Sequence, residues 1–345
     1  MADQHAVQAG HPEDRMADGP DVRPRAVTRS RGIWGIASVP WTPRALARWS
    51  IEVRWCLHLV QTPRMTADTA VSMQDRALRH VAALSRGEPL LPDLRVTMHF
   101  HPDRAAGKRP ILIQMSDEGV YRSQFVTGTS NGGLTAQPGG DRWRWESRIF
   151  AGVYDDAAPD QRPVYGALNY RRDPLGGAPR FGSSYFRLAP ETLRRATFCY
   201  PDSSAEPSDF GVADRCSLVE LAEAADTDLL DGHIEAQIHG PVRFDRDVEA
   251  LVLDPSYRGT PVERAAERLP CPMEWHPGFR LSVAELRRHP HYRGQAYVDL
   301  GATIAPGGWL TPRVVGDAAR TGRYALQDLK KVWHCLARFG RLGGS

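Results

Sequence analysis

Three short runs gather side chains that can do chemistry. In His233-Ile-Glu-Ala-Gln-Ile-His239, the residues Ile234, Ala236 and Ile238 alternate with His233, Glu235, Gln237 and His239. Successive strand side chains point to opposite faces, so the four polar groups should line one side. Residues 95–101 repeat the pattern, with Val96, Met98 and Phe100 on one face and Thr97, His99 and His101 on the other. In the third run, Phe181-Gly-Ser-Ser-Tyr-Phe-Arg187, Ser183 and Tyr185 share a face with Arg187, and Ser184 lies between them. Solvated strand faces also alternate, but they usually carry Lys, Arg, Glu and Thr rather than paired imidazoles. At least one of these stripes therefore reads as the wall of a functional cleft.

Two chemistries suit His99-Phe-His-Pro-Asp103. Two imidazoles on one strand face with a carboxylate just beyond begin a divalent-metal site, which His239, Asp254 or His276 could complete. A metal-dependent hydrolase using His99, His101, Asp103 and His239 would follow. Alternatively, His99 and His101 act as neutral donors to a substrate. The His-Pro-Asp triplet also marks chaperone J-domains, but there a basic helix precedes it, whereas residues 94–100 are β-patterned. A further candidate is the run 121–133, where Arg122, several hydroxyls and Gly128, Gly132 and Gly133 bring donors and flexible backbone together. Its amides could cradle a phosphate, although it matches no nucleotide-binding fingerprint and Asn131-Gly132 also suits a hairpin turn.

The elements that must position these groups are short. Alternation and β-branched content predict strands over residues 94–100, 111–116, 164–170, 180–188, 233–239, 248–253 and 296–300. Helical periodicity marks residues 66–84, 143–150, 217–225, 262–269, 283–288, 312–319 and 326–339. Strands and helices do not alternate regularly, so we expect an α+β protein: a single mixed domain with short strands, glycine-rich loops and peripheral helices. That domain spans residues 65–341. Residues 1–64, polar and then rich in arginine, read as a disordered or misassigned leader, with Met65 or Met73 as alternative starts.

Composition narrows the function classes. The hydrophobic share of 41% and charged share of 25% are those of a globular protein with a sizeable core. No apolar run approaches the roughly 20 residues of a membrane span, so no membrane partner is expected. Of the 44 basic residues only Lys108, Lys330 and Lys331 are lysine. The arginines are dispersed among acids without a one-sided stripe, which argues against nucleic acid. Cys56, Cys199, Cys216, Cys271 and Cys335 are odd in number and widely spaced, fitting neither a disulfide framework nor a thiolate zinc site. With no secretory signal pattern at the start, a cytoplasmic location is expected.

A family resemblance rests on motifs in order along the chain. His99-Phe-His-Pro-Asp-Arg, Tyr121-Arg-Ser-Gln-Phe, Gly139-Gly-Asp-Arg-Trp-Arg-Trp-Glu146 and Arg162-Pro-Val-Tyr-Gly166 lead the series. Pro179-Arg-Phe-Gly-Ser-Ser-Tyr-Phe186, Glu235-Ala-Gln-Ile-His-Gly240, Asp254-Pro-Ser-Tyr257 and Trp275-His-Pro-Gly278 continue it. Together they resemble a bacterial family, domain of unknown function family 3626, over about residues 77–339. A looser likeness links the Ser183–Tyr185 strand, residues 197–203 and the Glu235 run to ADP-ribosyltransferase-like domains. That likeness implies an enzyme cleaving the nicotinamide–ribose bond of NAD, with NAD as substrate and a protein as a candidate acceptor. Two trios fit it: Arg122 with Ser183 or Ser184 and Glu235, or His99 or His101 with Tyr185 and Glu235. The implied catalytic set is Glu235, Tyr185 and His101, with His99, Arg122, Ser183, Ser184 and Gln237 holding the nucleotide. His233 stands two residues before Glu235, where arginine-modifying members carry Glu or Gln. A non-catalytic ligand-binding module is the third reading.

Overall fold

Eight strands, numbered here in chain order, build the main sheet of a computed structural model that describes residues 71–106, 109–128 and 136–343. They are β1 Val96–Phe100, β2 Val164–Leu168, β3 Ser184–Leu188 and β4 Ala196–Tyr200. Then come β5 Asp209–Val212, β6 Ile234–Ile238, β7 Val248–Leu253 and β8 Met273–Trp275. Their spatial order is β8-β7-β3-β1-β2-β6-β4-β5. All the sheet's neighbours are antiparallel except β7 and β8, which the helix Pro261–Ala266 connects. Strand-by-strand pairing of this kind, with helices segregated around it, makes the fold α+β.

The alternation seen in the sequence divides the two faces. Val96, Met98, Phe100, Phe186, Leu188, Phe198, Ile234, Ala236 and Ile238 all point into one large core. Leu112, Leu218, Ala222, Ala265 and Ala266 complete it from three helices: Ile111–Glu118, Leu218–Ala224 and Pro261–Ala266. Each fully buried Ile, Met or Phe there contributes about 1.5–3 kcal/mol. Shifting any strand by one residue would turn this set outward, so burial pins the register. The opposite face carries Thr97, His99, Tyr185, Thr197, Cys199, Glu235 and Gln237. Part of it is covered by the helix Leu326–Phe339, whose Trp333 indole donates to the carbonyls of Pro179 and Arg180 at 3.0 and 3.2 Å. The helix Asp141–Ile149 borders the Glu235 end and packs with the helix Met73–Leu84 through Ala77, Val81, Ile149, Phe150 and Tyr154.

Two expected strands are helices. Residues 111–116 lie in Ile111–Glu118, where Pro110 precedes the first turn and Gly119, at φ +69°, ends the last. An apolar run of this length carries no period that separates a strand from a half-buried helix, and the flanking Pro and Gly decide. Residues 296–300 lie within the helix Gln295–Ile304, which buries Val298, Gly301 and Ile304 at helical spacing. The strand expected at 180–188 starts only at Ser184, after a single 3-10 turn at Pro179–Phe181. Strands β4, β5 and β8 carry no expectation above. The described part of the 66–84 helix begins at Met73, and the leader and residues 129–133 fall outside the described residues. Among the described residues no helix is long and apolar enough to cross a membrane.

Candidate functional site

Glu235 sits at the floor of a cleft on the polar face of the sheet. Its register places it between Ala167 of β2 and Cys199 of β4, while Gln237 lies opposite Thr197. The cleft wall adds Thr97, His99, Tyr121, Gln124, Tyr165 and Phe181 to Arg142 and Trp145 of the helix Asp141–Ile149, and to Asp202, Ser203, Ser204 and His233. Its cavity volume is about 80 Å³, room for roughly six waters, or for one ring of a larger ligand reaching in from the mouth.

Two hydrogen-bond chains converge on the Glu235 carboxylate. The first comes from the helix: Arg142 Nη1 donates to Ser203 Oγ at 2.9 Å, and Ser203 Oγ donates to Glu235 Oε2 at 2.9 Å. Arg142 Nη1 is itself 3.8 Å from that oxygen. The second runs along the sheet. Thr197 Oγ1 has one proton and gives it to Gln237 Oε1 at 2.8 Å, so its 3.1 Å contact with His239 Nε2 must be accepted from an Nε2–H. His239 Nδ1 is then the acceptor for the Tyr154 hydroxyl at 2.7 Å. The Gln237 amide, its oxygen engaged, donates to Glu235 Oε1 at 2.9 Å and to Cys199 Sγ at 3.3 Å. Every proton direction from Tyr154 to Glu235 is thereby fixed. A carboxylate offers about four acceptor positions, so Glu235 keeps capacity for a ligand hydroxyl.

Burial sets the electrostatics. His239 is enclosed by Phe150 and Tyr154, and desolvation pushes its pKa down to about 3, in keeping with the neutral ring that the chain demands. The Cys199 thiol, buried against Glu235, is pushed well above its ordinary value. Arg142 lies flat over Tyr165 and Trp145, its guanidinium carbon 4.2 and 4.9 Å from the ring centres. Its Nε–H has no hydrogen-bond partner among the described residues. Beneath it, Glu146 takes a bond from Arg162 at 2.6 Å and one from the Tyr165 hydroxyl at 2.8 Å. His233 lies 3.7 Å from an Asp202 carboxylate oxygen and edge-on to Phe181.

The other residues singled out by sequence are placed apart from Glu235. His99 lines the cleft, but its ring is held by backbone: Nδ1 faces the Gly182 carbonyl at 3.1 Å and Nε2 accepts from the Ala178 N–H at 3.2 Å. Desolvation brings its pKa down to about 3. His101 stands edge-on to Trp333, beyond the strand, with burial lowering its pKa to about 3. Tyr185 belongs to β3, three strands from β6 and so roughly 14 Å or more from Glu235. Its hydroxyl donates to the Pro174 carbonyl at 2.9 Å, and burial raises its pKa to about 12. Ser183 faces the Tyr257 hydroxyl at 3.4 Å, and Ser184 Oγ accepts from the Asp254 N–H at 3.2 Å. Arg122 makes a half-exposed pair with Glu118 at 2.9 Å. Of the residues named for the metal reading, His99 and His239 have both ring nitrogens engaged. Asp103 faces Arg320 at 3.5 Å, and His276 bonds the Ser183 carbonyl at 2.7 Å and the Gly278 N–H at 3.0 Å. Among the described residues no group of three or more His, Cys, Asp and Glu could hold a metal ion.

Arg142, Trp145, Tyr165, Asp202 and Ser203 carry no role in the sequence reading. A signal existed in Asp141-Arg-Trp-Arg-Trp-Glu146, where arginine and tryptophan alternate around a short helix. Only the tertiary fold tells which arginine turns inward.

Fold and site together define an α+β protein with a polar, carboxylate-floored cleft on one face of a mostly antiparallel sheet. The chain belongs to the family described as protein of unknown function (DUF3626), matched over residues 95–223 and 213–339. This agrees with the resemblance carried by the ordered motifs, and the match does not extend to ADP-ribosyltransferase-like domains. No curated protein matches the chain.

Proposed function

We propose that the Glu235 cleft cleaves a glycosidic bond of a nucleotide, with NAD the substrate to test first. One observation carries this reading: a carboxylate at the floor of an aromatic-walled cleft, held in one orientation from both oxygens by Ser203 and Gln237. When the nicotinamide–ribose bond breaks, positive charge develops on the sugar. A fixed carboxylate holding a ribose hydroxyl stabilises that charge where it forms. In hydrolysis, water adds to the ribose carbon, nicotinamide leaves and one proton is released to solvent. Tyr165, Trp145 and Phe181 put aromatic rings on the cleft wall, beside the Arg142 guanidinium. The cavity suits one ring of the nucleotide, with the remainder at the open mouth.

Incubation of the pure protein with NAD, followed by chromatography of nicotinamide and ADP-ribose, tests the proposal. The wild type should release nicotinamide, and Glu235→Gln should do so about 10²–10³-fold more slowly while melting cooperatively. Binding of NAD without turnover would instead favour a ligand-binding module, and neither binding nor release would end the NAD reading.

A further inference from the structure

A second cavity, of about 520 Å³, shares no lining residue with the Glu235 cleft. It opens between the turn after β1 and the helices Ile111–Glu118, Pro261–Ala266 and Pro312–Arg320. Volumes of 300–1,000 Å³ are typical of sites for small molecules. Pro102, Ile113, Val262, Ala265 and the Tyr257 ring make its walls mainly apolar.

The margin is positively charged. Arg264, Arg268, Arg313 and Arg320 stand against Asp103 and Asp317, four guanidinium groups to two carboxylates. Both carboxylates are engaged: Asp317 faces Arg313 at 3.7 Å and also pairs with Arg320, which reaches Asp103 at 3.5 Å. Arg268 reaches only the half-exposed Asp117 at 3.4 Å, and Arg264 makes no ion pair among the described residues. Arg264 is left for a charge from outside, and Arg268, four residues on, adds a second cation whose one ion pair is the long, exposed contact with Asp117.

Inside, Asp103 is held by the protein itself. Its carboxylate presses onto the helix Pro312–Arg320 at Gly316, where a Cβ would lie 1.4 Å from Oδ2. The side chain is only 3% exposed, and Oδ2 lies 3.5 Å from Arg320 Nη1.

We propose that this cavity binds an amphipathic carboxylic acid: apolar body between Ile113 and Val262, anionic head at Arg264 and Arg268. The site stands independently of the Glu235 reading. Calorimetric titration of the full chain with decanoate should show saturable binding of one molecule per chain. Arg264→Ala/Arg268→Ala changes two exposed side chains and should weaken binding about tenfold. Val262→Trp fills the cavity and should abolish it, and 1-decanol, without the charge, should bind at least tenfold more weakly than the acid. Unsaturable uptake, equal affinity for 1-decanol, or unchanged binding in Val262→Trp would each overturn the proposal.

Discussion

Replacing Thr197 by valine tests the hydrogen-bond chain beneath Glu235 at its middle link. Thr197 is fully buried, and valine keeps its shape while deleting the hydroxyl. Two groups then lose their partner at once: Gln237 Oε1, which accepts at 2.8 Å, and the Nε2–H of His239, which donates at 3.1 Å. A buried polar group left unsatisfied costs about 1–3 kcal/mol, so the pair should cost about 2–5 kcal/mol. Thr197→Ser is the matched control, because it keeps the hydroxyl and loses one buried methyl, about 1 kcal/mol. Urea unfolding with unchanged m-values would report the difference. A valine variant within 0.5 kcal/mol of the serine variant would refute the chain as drawn. If Gln237 also loses its orientation, nicotinamide release should fall in the valine variant and persist in the serine one.

Further outcomes follow from the same geometry. His99 and His239 are held down from 6.5 to about 3 by desolvation, so below pH 6.5 the unfolded chain binds protons that the folded one does not. Stability should therefore fall as pH drops, by about 2.5 kcal/mol for the pair between pH 7 and 5.5; urea unfolding free energies that stay flat across that window would contradict it. Gly176 has φ +86°, and a Cβ there would lie 2.3 Å from His99 Nε2, so Gly176→Ala should lower stability by about 2 kcal/mol or more. An unchanged unfolding midpoint in that variant would show that His99 is not pinned as described.

What the sequence made legible was the division of faces. Ile234, Ala236 and Ile238 alternate with Glu235 and Gln237 because one side of β6 meets the core and the other meets polar partners, and period two records that directly. The same logic placed Thr97 and His99 on the cleft side of β1. It failed where two kinds of burial look alike, as at Ile111–Glu118, whose apolar run reads equally well as a strand. It could not say which polar residues meet. Ser203 and Arg142 reach Glu235 from 32 residues upstream and from another element's first turn, through contacts that only the folded chain creates. Nor could it show that His99 spends both ring nitrogens on backbone from the loop before β3.

The fixed direction of the Tyr154-to-Glu235 chain has one more consequence. Its last link is the carboxamide of Gln237, a group that neither takes up nor gives away protons at ordinary pH. The chain can therefore aim Glu235 but cannot conduct. Under the proposed hydrolysis, the released proton would leave by the cleft mouth rather than along this chain. Substrate, water and the released proton of that proposed reaction would then share one doorway, and a ligand plugging it would close the way to all three.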